Sequence, residues 1–125
     1  MSRKLAPRFP KASKLLRHAD FQRVYKQGRR HFAAHMTVFY LRREEDDGAG
    51  PRVGFTVGRV LGGAVQRNRI KRRLREAVRH HLASLALAVD VVINPKKSAL
   101  VAEFSVLHDE VARAFEVIAG RESRA

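Results

Sequence analysis

The most regular pattern of apolar and polar positions lies in residues 64–81, AVQRNRIKRRLREAVRHH. Ile70, Leu74, Val78 and Leu82 recur every four residues, a spacing that gathers them on one side of a helix. The opposite side carries mostly arginines. The pattern predicts an amphipathic helix that packs its apolar stripe on a core and leaves a basic stripe free.

Two weaker helical patterns lie near the ends of the chain. The first predicted helix runs from about residue 17 to residue 27 and ends at Gly28, because glycine readily terminates a helix. The last runs from about residue 105 to residue 119, with Ser105 as its N-cap and Gly120 as its end.

Residues 31–43 alternate with a period of two, which predicts a strand. One face carries His35, Thr37, Phe39 and Leu41, and the other carries Met36, Val38 and Tyr40. Both faces are largely apolar. We therefore expect a helix to cover one of them and a second helix or a ligand to cover the other.

Two further strands are predicted at residues 52–59 and 89–94. Residues 44–51 (EEDDGAGP), which connect the strand at 31–43 to the strand at 52–59, contain turn residues and are predicted to form a hairpin loop. The four consecutive acids are interpreted as a solvated loop, because a metal site needs ligands that converge. The order helix, strands, basic helix, strand, helix predicts an α+β sandwich with helices packed on a small sheet.

Composition adds a strong positive charge to this picture. The 125 residues suit one domain, carry a formal net charge of +14 and include no cysteine, which excludes disulfides, thiol catalysis and cysteine-based zinc sites. Such a charge favours a polyanionic partner, nucleic acid first and a membrane surface second. We expect a flexible basic arm at residues 1–14, with a transit peptide as the less favoured alternative, a single domain at 15–120 and a frayed tail at 121–125.

The start of the basic helix combines features that suit an anion. Arg67 and Arg69 lie in its first turns, where the helix dipole disfavours cations by about 0.3–1 kcal/mol each. Gly62 and Gly63 precede the helix, whose first N–H groups lack intrahelical partners. A bound phosphate satisfies these N–H groups and turns the unfavourable arginines into favourable ones. The basic helix is therefore predicted to contact nucleic acid.

Four stretches, in this order and spacing, closely resemble the protein subunit of bacterial ribonuclease P: HADFQRVYKQG, RVGFTVGRVLGGAVQRNRIKRRLREAVR, DVVI and the closing amphipathic helix. The resemblance covers residues 15–119, and its most specific part is the Arg-Asn-Arg signature at residues 67–69. It implies a fold like domain 2 of ribosomal protein S5, with a four-stranded sheet, three helices and a left-handed β-α-β crossover through the basic helix. The chain departs from the family pattern at Gly58-Arg59-Val60, at Tyr25 and at Ala34-His35.

The resemblance also implies a function. In this family the RNA subunit catalyses removal of the 5′ leader from precursor tRNA with Mg²⁺ bound mainly by the RNA, and the protein binds that RNA and the leader. It implies a cytoplasmic protein with no catalytic or metal-binding residue, no membrane contact and no obligate protein partner. Matching positions that imply contact with the catalytic RNA are Arg59, Arg67, Asn68, Arg69, Lys71, Arg72, Arg73 and Lys96. Those that imply a leader-binding cleft are Phe21, Tyr25, Val38 and Tyr40.

Two other functions explain part of the pattern. A ribosomal or other structural RNA-binding protein of the same fold would share the charge and the basic helix, but not the aromatic cleft. A protein nuclease acting alone would need a metal-binding carboxylate set or a paired general acid and base. The acids here are scattered or lie in the 44–47 loop, and His80 and His81 are adjacent on a helix and point in different directions.

Overall fold

The computed structural model describes residues 17–44 and 50–122. Within them the helices are α1 (His18–Gln27), α2 (Ala64–Arg79) and α3 (Phe104–Glu122). The strands are β1 (Arg29–Phe32), β2 (Met36–Arg42), β3 (Arg52–Phe55) and β4 (Val89–Pro95). Short 3-10 turns lie at Arg59–Leu61, Leu82–Ser84 and Lys97–Leu100.

The four strands form one mixed sheet in the order β1-β2-β4-β3. β2 pairs antiparallel with both β1 and β4, whereas β3 and β4 are parallel. Parallel neighbours need a crossover connection, and here α2 provides it. The predicted α+β fold, with three helices, a four-stranded sheet and a crossover through the basic helix, is confirmed.

Helices cover both faces of the sheet, as the apolar character of both faces predicts. Met36, Val38 and Tyr40 are fully buried in a core shared with α2 and α3. Ile70 and Leu74 bring the predicted apolar stripe of α2 into this core, where each buried side chain contributes about 1.5–3 kcal/mol. α1 packs on the opposite face, against β2 and β4.

Gly28 ends α1, as predicted, and the reason is close packing. A Cβ atom at this position would lie 2.5 Å from the Val24 carbonyl oxygen and 2.6 Å from that of Tyr40. Its N–H also donates to the Val24 carbonyl oxygen at 2.8 Å. Glycine therefore lets the chain pass from the helix directly into the edge strand β1.

One predicted strand and one predicted hairpin are wrong. Residues 31–43 do not form a single strand, because β1 ends at Phe32 and β2 begins at Met36. The chain reverses between them, where the Ala33 N–H donates to the Met36 carbonyl oxygen at 2.9 Å. Residues 44–51 do not join a hairpin, because β4 lies between β2 and β3. Turn residues indicate that a chain reverses but not which strand it will lie beside. Residues 45–49 lie outside the described part of the chain.

The end of the last helix also differs from the prediction. α3 begins at Phe104, so Ser105 lies inside it, and it continues through Gly120 to Glu122. Arg121 donates a hydrogen bond of 2.7 Å to the Tyr40 hydroxyl, which fixes the final turn against the sheet and offsets the low helix propensity of glycine. Two residues of the predicted tail are therefore helical. Residues 123–125 and the predicted arm at 1–14 lie outside the described residues.

Candidate nucleic-acid interface

One group of arginines is neutralised inside the protein. Asp90 on β4 is fully buried and accepts hydrogen bonds from Arg43 at 2.8 Å, from Arg52 at 2.7 Å to each oxygen, and from Arg23 of α1 at 3.3 Å. Asp20 lies 2.7 Å from Arg23 and 3.5 Å from Arg52. We call these five residues the carboxylate cluster. Because the cluster joins α1 to β3 and β4, its arginines hold the fold together.

The same contacts set the ionisation of Asp20. Burial raises the pKa of its carboxyl group, but the hydrogen bond from the Arg17 N–H and the guanidinium groups of Arg23 and Arg52 outweigh burial and lower that pKa. The folded protein therefore favours the carboxylate form, which keeps the two guanidinium groups in place.

A second group of polar residues has no internal partner. In the described part of the chain, no side-chain hydrogen bond or ion pair engages Arg67, Asn68, Arg69, Lys71 or Arg72. We call these five residues the basic face of α2. The first turn of the helix holds no acid, and Glu76, further along, is paired with Arg79 at 2.5 Å. The charge of the basic face is therefore free for an external anion.

The glycine turn leads directly into this face. Gly62 has a φ of 123°, a conformation that favours glycine, and a Cβ atom there would lie 3.2 Å from the Gln66 Cβ. Gly63 precedes the helix without a side-chain cap. A pocket of about 260 Å³ follows, lined by Phe55, Val57, Ala64, Arg67, Asn68 and Lys71. Two cations and the Asn68 amide line this pocket and no acid does, so it suits a phosphate oxygen.

Arg73 differs from the other predicted RNA contacts. Its guanidinium donates to the carbonyl oxygens of Ala99 at 2.9 Å and Leu100 at 2.6 Å, and also to that of Ala102. These bonds tie α2 to the turn that precedes α3. The expectation that Arg73 directs its guanidinium at RNA phosphate is therefore corrected, because the backbone accepts three of its five N–H donors.

The other two predicted cations lie outside α2. Arg59 is exposed in the 3-10 turn between β3 and α2. Lys96 is exposed just after β4, where its Nζ lies 3.4 Å from the Ala33 carbonyl oxygen. Since β3 and β4 are parallel, both residues follow the carboxyl ends of their strands at the same edge of the sheet as the start of α2.

An aromatic cleft lies on the opposite face of the sheet, beside α1. The rings of Tyr25 and Phe39 meet edge to face, with centroids 5.0 Å apart. The Arg30 guanidinium carbon lies 6.0 Å from the Phe39 ring centroid and 5.7 Å from that of Phe32, which is 68% exposed. We call these four residues the aromatic cleft. It offers two exposed rings, Phe32 and Tyr25, and a cation, the combination on which single-stranded nucleic acid stacks.

The predicted placement of Val38 and Tyr40 in this cleft is wrong. Both side chains are fully buried in the core on the other face, where the Tyr40 hydroxyl accepts its bond from Arg121. Successive side chains of a strand point to opposite faces, so Phe39 faces α1 while its two neighbours cannot. Phe21 is half-buried on α1.

Sequence reasoning missed Phe39, Phe32 and Arg30 as cleft residues. The alternation of β2 already separates Phe39 from Val38 and Tyr40, and that signal identifies the correct face once α1 is known to cover it. Nothing comparable marks Arg30 and Phe32, because their strand β1 is only four residues long.

Three of the six histidines gather away from both surfaces. His81 Nε2 lies 3.2 Å from His108 Nδ1 where the end of α2 meets α3, and the tilted rings of His80 and His108 have centroids 5.5 Å apart. Burial, followed by the charges of His108 and His80, lowers the pKa of His81. Across residues 17–44 and 50–122, no group of three or more histidine or acidic side chains is placed to hold a metal ion.

Comparison with known proteins identifies the family. A sequence profile described as Ribonuclease P matches residues 9–119. The chain belongs to the ribonuclease P protein family. It is 40% identical over 112 residues to the ribonuclease P protein component of Acidothermus cellulolyticus, covering 90% of this chain and 89% of the relative. It is 42% identical over 107 residues to that of Citrifermentans bemidjiense, covering 86% and 89% of the two chains.

Solved structures of ribonuclease P proteins share the fold. The Staphylococcus aureus protein superposes with a TM-score of 0.72 at 31% identity, over 86% of this chain and 95% of that one. The Thermotoga maritima protein gives a TM-score of 0.73 at 24% identity, over 84% and 96%. Membership of the ribonuclease P protein family makes this chain a subunit of the ribonucleoprotein endoribonuclease that processes the 5′ end of tRNA, with ribonuclease P RNA as its partner.

No helix in the described segments of this ribonuclease P protein is long and apolar enough to cross a lipid bilayer.

Proposed function

We propose that this protein binds ribonuclease P RNA through the basic face of α2, and the 5′ leader of precursor tRNA through the aromatic cleft. In this way it promotes tRNA maturation by an RNA-catalysed reaction with Mg²⁺ held mainly by the RNA. We place it in the cytoplasm, without an obligate protein partner. It acts as one RNA-binding domain that starts near residue 15 and continues to the end of α3, after a basic arm at 1–14.

The observation that carries the RNA-binding surface is the division of the arginines. Arg23, Arg43 and Arg52 are neutralised by buried or half-buried carboxylates, whereas the first turn of α2 holds no acid and Glu76, further along, is paired with Arg79. The unpaired cations at the start of α2 therefore concentrate the attraction for phosphate on this helix, in a chain of net charge +14. Arg59 and Lys96 extend this surface along one edge of the sheet.

The leader is assigned to the aromatic cleft because that surface fits a single strand. Stacking of one base on an aromatic ring contributes about 1–3 kcal/mol, and Arg30 adds a cation between the exposed rings. α1 and α2 cover opposite faces of the sheet. In this proposal the leader and the ribonuclease P RNA bind to opposite faces of the same sheet, within one small domain.

The protein contributes position and charge, and the RNA supplies the chemistry. Cations on α2 offset the repulsion between two RNA molecules that must approach closely. Mg²⁺ performs the same screening at high concentration, so the protein should matter most when Mg²⁺ is scarce.

Addition of the protein to ribonuclease P RNA at low Mg²⁺ tests this proposal. We expect cleavage of precursor tRNA at the mature 5′ end to recover under single-turnover conditions, and cleavage by the protein alone to be absent. An unrelated basic protein of similar charge serves as the control for simple screening. Equal rescue by that control, or no rescue by this protein, would contradict the proposal, and sedimentation with ribosomes would favour the ribosomal alternative.

A further inference from the structure

A second groove lies beside the basic face, between the start of α2 and the turn that leads to α3. It has a volume of about 560 Å³ and is lined by Val65, Gln66, Arg69, Arg73, Leu100 and Val101. We call it the valine groove. Val65 is 79% exposed and Val101 is 82% exposed, although both are apolar. Each would gain by burial against an apolar surface.

Arg73 gives this groove a rigid wall. Its guanidinium donates to the backbone carbonyl oxygens of Ala99, Leu100 and Ala102. Hydrogen bonds of this kind lie near the guanidinium plane, so they fix its orientation without themselves covering its flat faces. A planar guanidinium is a stacking surface for a nucleobase. Arg73, with three of its five N–H donors held by the backbone, is therefore suited to stacking.

Two polar side chains complete the groove. Arg69 lies four residues before Arg73, hence on the same side of α2, and has no partner in the described residues. Gln66 carries an amide that can both donate to and accept from a base edge. No acid is among the lining residues. The groove thus combines apolar contact, a stacking plane and a free cation.

From this combination we propose that the valine groove binds one unpaired nucleobase of the ribonuclease P RNA. The base packs on Val65 and Val101 against the Arg73 guanidinium, and its phosphate contacts Arg69. The positive charge of Arg69 and Arg73 favours RNA as the ligand of this groove, because these cations attract phosphate and repel a second copy of this basic chain. The inference rests on the proposed function, since it assumes that α2 faces the RNA.

Substitution of the two valines tests the groove without removing a charge. For the double variant Val65→Ser and Val101→Ser we expect a 5- to 50-fold loss of affinity for ribonuclease P RNA, with the dependence on salt unchanged because no cation is lost. Val60→Ser is the matched control, since Val60 is 86% exposed but does not line the groove. Thermal unfolding of all variants should be unchanged, because these side chains are already exposed.

The outcomes separate this inference from the function on which it rests. If Arg69→Ala and Arg72→Ala both leave RNA affinity and its salt dependence unchanged, the basic face does not bind the RNA. The proposal for the valine groove is then overturned as well. If these arginine variants weaken binding but the double valine variant behaves like Val60→Ser, only the groove is overturned.

A crosslinking experiment identifies the occupant directly. The chain has no cysteine, so Val101→Cys carries a benzophenone label at a single site. With ribonuclease P RNA bound, we expect crosslinks confined to one unpaired nucleotide and its neighbours. Crosslinks spread over the RNA as widely as those from labelled Val60→Cys, or crosslinks to a second protein chain, would overturn the inference.

Discussion

Tyr25 and Phe39 meet edge to face, with ring centroids 5.0 Å apart and planes at 89°. The Tyr25 hydroxyl also lies 2.5 Å from Thr56 Oγ1 and donates to Asn94 Oδ1 at 2.9 Å. One side chain of α1 is therefore connected to β2, to β4 and to the residue after β3. This arrangement holds α1 on the sheet and makes Phe39, not Tyr40, the β2 residue that faces the aromatic cleft.

Replacement of Phe39 tests the cleft. We expect Phe39→Ala to weaken binding of precursor tRNA by about 5- to 150-fold, as loss of one stacked base predicts, and to leave binding of mature tRNA nearly unchanged. Affinities of the holoenzyme for the two RNAs measure this difference. Tyr40→Phe is the control, since it keeps a ring in the core and removes only the bond to Arg121. Equal losses for both RNAs would show that Phe39 is only structural.

The Tyr25 hydroxyl offers a finer test, because it makes the polar contacts of this ring with Thr56 and Asn94. Tyr25→Phe keeps the ring and removes both hydrogen bonds. We expect about 1 kcal/mol of lost stability per bond at most, and a smaller loss of leader affinity than Phe39→Ala causes. Urea unfolding together with leader binding distinguishes the two effects. A leader defect larger than that of Phe39→Ala would assign the hydroxyl a direct contact.

The basic face predicts a specific dependence on salt. Arg69→Ala should lower affinity for ribonuclease P RNA and reduce the slope of log affinity against log salt by about 0.7–0.9. Titration from low to moderate salt gives the slope. Arg79→Ala is the comparison, because Arg79 already pairs with Glu76 and should change the slope less. An unchanged slope for Arg69→Ala would remove Arg69 from the interface.

The carboxylate cluster predicts a large effect on stability. Asp90→Asn removes the charge that holds Arg23, Arg43 and Arg52, and we expect a loss of about 3–5 kcal/mol in the free energy of unfolding. Urea denaturation at neutral pH measures it. Glu76→Gln, which breaks a more exposed pair with Arg79, should cost about 1 kcal/mol or less. Similar losses for the two variants would show that the cluster is not specially stabilising.

Stability should fall with acid in two steps. Burial, then the charges of Arg113 and Arg121, lowers the pKa of His31, and burial likewise lowers that of His81. Below about pH 6.5 the unfolded chain therefore binds more protons at these two histidines than the folded chain does. Their contribution to the free energy of unfolding is complete above about pH 6.5 and declines below it. Asp20, whose pKa is also lowered, contributes above about pH 4 and loses that contribution at lower pH.

Urea midpoints between pH 8 and pH 3 check this prediction. The variant His81→Gln should flatten the decline between pH 7 and pH 5 while leaving the acid step intact. A midpoint that rises as the pH falls from 7 to 5 would contradict the sign of both histidine shifts.

The sequence alone determined the main elements of this protein and its family. The apolar stripe of α2 and the end of α1 at Gly28 follow from local spacing and from residue type. The Arg-Asn-Arg signature identified the family because it lies in one continuous stretch. Local information sufficed wherever the physical cause was itself local.

Tertiary structure decided which of these residues can meet a ligand. Arg52 is separated from Asp90 by 38 positions, and Arg73 from Ala99 by 26, so spacing cannot show that their donors are already engaged. Likewise, β2 has two apolar faces, and only the packing of α1, α2 and α3 fixed Phe39 as open to the cleft and Tyr40 as core. Which cations remain free depends on which acids folding brings beside them.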